Sequence, residues 1–163
     1  MYPTNSLFGS FYSFMGYKNI SSILGGRLKT IINCGPPTFP RELRQKLSDT
    51  FNIWIGEEYG LLETGGVACI SWRDDIHLDN VGGPHKICRI KLRDIPQFDI
   101  YHYDDPPRGE ICISGPNITP GYFNNEHFNK LNFDENGWLR TGDYGRVLSN
   151  GSIEVVDRIH NLF

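Results

Sequence analysis

Glu58-Tyr59-Gly60-Leu61-Leu62-Glu63-Thr64-Gly65-Gly66 brings together a flat ring, a backbone-freeing glycine, a carboxylate and a hydroxyl. That set suits an aromatic base and a metal-bound phosphate. Tyr59 offers the ring, Gly60 the close approach of backbone, and Glu63 and Thr64 the oxygens. By itself the stretch also fits a surface turn with a packed tyrosine. Two further groups suit the same chemistry. Asp143 follows a glycine at the entry to an expected strand, as an exposed carboxylate able to accept both hydroxyls of a ribose, although it equally fits a turn cap. Arg158 ends the last expected strand and is a rigid multi-donor group suited to ribose or phosphate oxygens, although it also fits a plain surface charge. A fourth feature, Cys34-Gly35-Pro36-Pro37, is a forced turn, because two prolines fix φ and remove two donors.

The elements around these residues follow from periodicity. Leu28 to Asn33 reads as a strand. Leu43, Leu47 and Phe51 fall at i, i+4 and i+8, an apolar helix face from about 40 to 50, with Thr38 as a cap and Pro40 in the first turn. Phe51 to Ile55 and Val67 to Trp72 read as short buried strands with the Tyr59 stretch as the loop between them. Strand, helix, strand implies a parallel pair. Ligands bind such sheets beyond the carboxyl ends of the strands, so the Cys34–Pro37 turn and the Tyr59 loop are expected at one edge. After Trp72 the texture changes. Ile87 to Ile95 and Glu110 to Ser114 alternate as half-exposed strands. A short helix is expected within 122–131, and Asn150-Gly151 marks a hairpin. The fold class read here is α/β: the end of a parallel-sheet subdomain followed by a small antiparallel β-barrel-like subdomain. The expected division is a poorly defined lead-in at 1–24, the α/β part at 25–75, the β part at 76–158 and a hinge start at 159–163.

Composition narrows the classes. The 163 residues are 39% hydrophobic and 13% aromatic, which suits a folded core. A net charge of -3 gives no basic footprint, so nucleic acid is not an expected partner. The start of the chain lacks the basic and apolar regions of a signal peptide, and no apolar run approaches a bilayer span. Cys34, Cys69, Cys88 and Cys112 are widely spaced, as reduced thiols of an intracellular protein are. Asn132, Asp134, Asn136, Gly137 and Asp143 mimic a calcium loop, but the last position lacks the bidentate glutamate and a hairpin follows. Asp134 to Gly137 is therefore read as a turn.

Taken in order, the motifs resemble the adenylate-forming acyl-CoA synthetase superfamily, and within it the long-chain fatty acyl-CoA synthetases. The resemblance rests on Cys34-Gly35-Pro36-Pro37, Tyr59-Gly60-Leu61-Leu62-Glu63-Thr64, Val81-Gly82-Gly83-Pro84, Arg108-Gly109-Glu110, Gly115-Pro116-Asn117 with Gly121-Tyr122, Gly137-Trp138-Leu139-Arg140-Thr141-Gly142-Asp143, and Asp157-Arg158 with Asn161-Leu162-Phe163. It implies a two-step ligase. A fatty carboxylate attacks the α-phosphate of ATP to give acyl-AMP with release of pyrophosphate, and the thiol of CoA then displaces AMP to give acyl-CoA. It implies that Gly35, Pro36 and Pro37 back the adenine, Tyr59 stacks on it beside Gly60, Glu63 holds Mg²⁺, and Asp143 and Arg158 hold the ribose. It also implies an intracellular location, cytoplasmic or on the cytoplasmic face of a membrane such as the endoplasmic reticulum, with peripheral membrane association of a full-length enzyme.

The chain departs from that pattern in three places. Leu62 stands where the family carries a threonine before the glutamate. Thr64, the nearest hydroxyl, is roughly 6–7 Å away along an extended chain. Glu58 replaces a glycine and adds negative charge near a phosphate site, and His160 replaces the usual hinge residue. The family's phosphate loop and its C-terminal domain with a catalytic lysine do not fall within these residues. The expectation is a fragment that completes neither half-reaction alone. The alternatives are a non-catalytic remnant that binds AMP, ATP or a partner, and a ligase of another carboxylic acid.

Overall fold

The computed structural model describes residues 24–35, 38–73, 75 and 79–162. Nearly all of the expected lead-in, together with Pro36, Pro37 and Phe163, lies outside them. Among the described residues the chain forms two four-stranded sheets, neither closed on itself.

The first sheet begins with β1 (Thr30–Cys34), followed by helix α1 (Arg41–Phe51) and β2 (Trp54–Leu61). β1 and β2 are parallel, with Cys34 opposite Glu58. This is the expected strand–helix–strand unit, with Gly35 just beyond the carboxyl end of β1. The helix differs from expectation at both ends of its logic. Pro40, not Thr38, is the N-cap, and no side chain caps the helix. Leu43 is 42% exposed while Arg44 is buried. The inward stripe is therefore Arg44, Leu47, Ser48 and Phe51. An arginine is tolerated there because its guanidinium donates to the Ile55 carbonyl at 2.8 Å and to Ser71 Oγ at 3.3 Å.

The Tyr59 stretch is not a loop. β2 runs through Tyr59 and Gly60 to Leu61, and only Leu62–Thr64 forms a single 3-10 turn before β3 (Gly66–Ile70) returns antiparallel. The pairing shifts between Tyr59 and Gly60, a bulge that Gly60 makes feasible. The short β4 (Gly83–Pro84) pairs with β3 and completes this sheet.

The second sheet runs β5 (Arg89–Arg93), β6 (Arg108–Ser114), β7 (Leu139–Val147) and β8 (Ile153–Arg158), antiparallel throughout. It is the expected antiparallel unit, open rather than barrel-closed over the described residues. Helix α2 (Glu126–Asn132) lies between β6 and β7, where a short helix was expected, and the Asn125 side chain caps it by accepting from the Phe128 N–H. The β7–β8 hairpin turns at Asn150-Gly151, with Gly151 at φ 82°. Asp134 is a turn residue, as read from the sequence. Its Oδ1 accepts from the N–H groups of Asn136 and Trp138, and its Oδ2 pairs with Lys91 at 2.8 Å.

One core serves both sheets. Tyr59, Ala68, Cys69, Val81, Cys88, Ile111, Ile113 and Ile153 pack as a single buried cluster. Val81 and Gly82 exchange backbone hydrogen bonds with Ile153, so the connector after β3 is laced to β8. Burial pushes the Cys69 thiol up to about 12 and that of Cys112 up to about 11, while Cys34 is exposed. Glu58, beside it, raises its pKa, chiefly through a side-chain hydrogen bond.

Candidate functional site

The two sheets meet chemically at Tyr59. Its hydroxyl, carried by β2, donates to Asp143 Oδ2 on β7 at 2.6 Å. The other oxygen of Asp143 pairs with Arg158 Nε on β8 at 2.9 Å. Asp143 and Arg158 are directly opposite in the β7–β8 register, so strand pairing fixes their approach. Arg158 also donates to the Thr141 carbonyl, and the Thr141 hydroxyl accepts from the Asp143 N–H. Three residues singled out for one ligand from distant parts of the sequence thus converge on one carboxylate.

Their setting differs from the expected one. Asp143 is 5% exposed and lies inside β7, not at an open turn, and Tyr59 is 8% exposed. A carboxylate there is tolerated because a hydroxyl and a guanidinium hold it. Burial still pushes its pKa up, against the lowering pull of Tyr59 and Arg158. The Tyr59 phenol is driven strongly upward by the same burial and by the charge of Asp143, so it stays a donor. Arg158 keeps 45% of its side chain exposed and is the solvent-facing member.

Gly35 follows Cys34, the last residue of β1 paired with β2, and takes φ 99°, a conformation open to glycine. Pro36 and Pro37 lie outside the described residues. Beneath this turn is a residue that the sequence reading missed. Glu57 is fully buried and accepts from the Phe39 N–H at 3.1 Å and from Asn33 Nδ2 at 2.8 Å. It ties the β1–α1 connection to the centre of the sheet. The available signal was an acid flanked by the otherwise apolar start of a strand.

Glu63 and Thr64 form a second group, at the far end of β2. No hydrogen bond among the described residues joins them to Asp143. Thr64 is 1% exposed. Its hydroxyl accepts from the Leu61 N–H and shares its one proton between the carbonyls of Leu61 and Gly66. Thr64 was expected to offer that oxygen to the chemistry; instead the oxygen holds the turn together. Replacing Thr64 by Val should therefore destabilise the fold by about 1–3 kcal/mol, the cost of orphaning buried polar groups, in urea unfolding monitored by circular dichroism. A change below about 0.5 kcal/mol would contradict that role.

Glu63 is half-buried, and its Oε1 accepts the Tyr122 hydroxyl at 2.7 Å. Its backbone carbonyl accepts from the Thr119 N–H, and Asn117 Nδ2 donates to the Thr64 carbonyl. The turn is thus clamped by the loop after β6. Neither Asn117 nor Tyr122 had an assigned role in the sequence reading, since partners 53 and 59 residues away leave no local trace. A carboxylate with one oxygen fixed and the other without a hydrogen-bond partner among the described residues suits a hard divalent cation as one ligand of its shell. Leu62, where a hydroxyl was looked for, is 97% exposed and carries no polar group.

The chain is similar to known proteins over most of its length. The family model described as AMP-binding enzyme matches residues 6–123. Fatty acyl-CoA synthetase A of Dictyostelium discoideum is 38% identical over 86% of this chain, and the peroxisomal long chain acyl-CoA synthetase 6 of Arabidopsis thaliana is 37% identical over 90%. The chain spans about a fifth of the length of these relatives, 21% in each case. Among solved structures, O-succinylbenzoate coenzyme A synthetase of Bacillus subtilis, in complex with ATP and magnesium ion, superposes with a TM-score of 0.70 at 28% identity, over 88% of this chain and 30% of that one. The A domain of carboxylic acid reductase from Segniliparus rugosus, in complex with AMP and a co-purified carboxylic acid, gives a TM-score of 0.70 at 27% identity, over 94% of this chain and 25% of that one. With a match across most of its length and its motifs gathered around Asp143 and Glu63, the chain belongs to the AMP-binding enzyme family.

Proposed function

We propose that this chain is part of a long-chain fatty acid–CoA ligase, which activates a fatty carboxylate with ATP to acyl-AMP and passes the acyl group to CoA. The observation that carries the proposal is the convergence of Tyr59, Asp143 and Arg158 across two sheets, in a chain whose curated relatives are long-chain acyl-CoA synthetases.

The chemistry asked of these residues is positioning and charge. Each carboxylate oxygen of Asp143 keeps a lone pair beyond the bond it already accepts, so ribose hydroxyls can add to the cluster without breaking it. Arg158, the exposed member, supplies donors to the same sugar. Gly35 lets the backbone close on the base beside Tyr59. Glu63 would hold magnesium through its second oxygen, and that ion supplies neutralisation of phosphate charge while AMP is made the leaving group. Membrane contact of the longer protein belongs to the same proposal; among the described residues no helix is long and apolar enough to cross a bilayer.

A second reading has its own support. Leu62 presents a bare apolar side chain where the family pattern has a hydroxyl, and Thr64 is committed to the turn. On that reading the chain binds a nucleotide without catalysing ligation. One experiment separates the two. The native polypeptide containing this segment is captured from its source cells by antibody and assayed for ATP–pyrophosphate exchange. Exchange that depends on added long-chain fatty acid supports the ligase. Nucleotide binding with no exchange on any fatty acid supports the second reading and removes the first.

A further inference from the structure

We propose that Tyr122 is a positioning residue for Glu63, fixing one carboxylate oxygen so that the other is presented to a divalent cation. The inference rests on the reading of Glu63 as a metal-holding group and adds a residue to it.

The geometry is specific. The Tyr122 hydroxyl donates to Glu63 Oε1 at 2.7 Å, and no other side-chain hydrogen bond reaches Glu63 among the described residues. Tyr122 is itself held at both backbone groups by one side chain. Its N–H donates to Asn129 Oδ1 at 2.6 Å and its carbonyl accepts from Asn129 Nδ2 at 3.1 Å. Gly121 is required alongside, because a Cβ there would fall 2.7 Å from Asn129 Oδ1 and the residue takes φ 144°. Phe128 and Phe133 meet the Tyr122 ring edge-on at 6.0 and 6.3 Å. The ring is therefore fixed by α2 and by its end, while its hydroxyl reaches across to the other sheet's turn.

Glu63 needs such a partner. It sits on a one-turn 3-10 segment next to the exposed Leu62, and among the described residues no other hydrogen bond holds its carboxylate. An unfixed glutamate loses rotamer freedom when it is immobilised on a ligand. A hydroxyl that already holds one oxygen removes much of that cost.

The test uses manganous ion in place of magnesium, titrated with ATP into the 163-residue chain and followed by electron paramagnetic resonance. Wild type, Glu63→Gln, Tyr122→Phe and the exposed-site control Phe123→Ala are compared, each first checked for native circular dichroism. The expected result is loss of the bound-ion signal in Glu63→Gln, affinity about tenfold or more weaker in Tyr122→Phe, and no change in Phe123→Ala. Tyr122→Phe binding as tightly as wild type, with Glu63→Gln defective, overturns the positioning role and leaves the metal reading standing. Wild-type affinity in Glu63→Gln, or no binding by wild type, overturns the metal reading and the proposal with it. Should Tyr122→Phe fail to fold, the ring signals of Tyr122 in the wild-type spectrum decide. Bound manganese must broaden them selectively, and unbroadened signals contradict the proposal.

Discussion

Asp143→Ala should unfold with about 2 kcal/mol less stability than the wild type and lose AMP binding altogether. The stability term comes from Tyr59, whose buried hydroxyl donates to Asp143 and would lose that acceptor; a buried donor so deprived costs about 1–3 kcal/mol. Arg158 adds little, because nearly half of its side chain already faces solvent. At roughly 2–4 °C per kcal/mol for a chain of this size, the melting temperature should fall by about 4–8 °C. Asp143→Asn separates the two effects. The amide oxygen still accepts from Tyr59, so the fold should keep most of its stability while the ion pair and the ribose affinity go. The same pair of proteins gives a pH signature. Burial raises the pKa of folded Asp143 above the unfolded value of about 3.9. The folded state then binds the proton more tightly, so its contribution is fully present at low pH and is lost as pH rises through the folded pKa. The wild-type minus Asp143→Asn stability difference should move in favour of wild type as the solution is acidified through that window. A flat or opposite difference would contradict the buried setting. Asp94, Asp104, Asp134 and Asp157 are shifted the other way by their hydrogen bonds, which is why the difference, not the raw curve, is the measurement.

Gly60→Ala should be more damaging still. A Cβ on residue 60 would overlap the backbone carbonyl of Gly66 and sit 3.2 Å from Thr64 Oγ1. Neither group can step aside, because the first belongs to the paired strand β3 and the second closes the turn. The bulge must open, and with it the turn that carries Glu63. A loss of about 3–5 kcal/mol is expected, enough to leave a domain of ordinary stability partly unfolded. Gly83→Ala is the control, since nothing lies within 4 Å of its built Cβ and its φ is not in the left-handed range. It should stay within about 0.5 kcal/mol of wild type. Equal effects of the two substitutions, in thermal and urea unfolding, would remove the steric argument.

These two sites also show what was readable in the chain. The β1–α1–β2 unit, the strands at 89–93 and 108–114 and the Asn150-Gly151 hairpin came through because each is written in local periodicity or turn chemistry; the half-exposed alternation did not, since β6 is buried from Gly109 to Ile113. The Tyr59 stretch misled as a loop because three glycines within seven residues resemble one. In the fold, Gly60 lies within β2 opposite a bulge whose extra residue is Ala68 of β3, and only Leu62–Thr64 turns. Asp143 misled in the same way. Gly142 does take φ 71°, as a turn glycine would, but inside a paired strand. Arg44 inverted the expected helix face because its partners, the Ile55 carbonyl and Ser71, lie on other elements. The site residues were nameable by type, and Tyr59, Asp143 and Arg158 do converge. The bonds that build the site span 84 residues for Tyr59–Asp143 and 59 for Tyr122–Glu63. No window of local sequence carries such pairings, so Glu57 entered only with the fold, and Asn117 and Tyr122, present in the motifs, gained their partners only there.

The most direct test of the account is a crystal structure of the chain soaked with AMP. The prediction is AMP with its ribose hydroxyls within hydrogen-bonding distance of Asp143 and its base between Gly35 and Tyr59. AMP seated away from Asp143, or a ribose that leaves the Tyr59–Asp143–Arg158 cluster untouched, would contradict it.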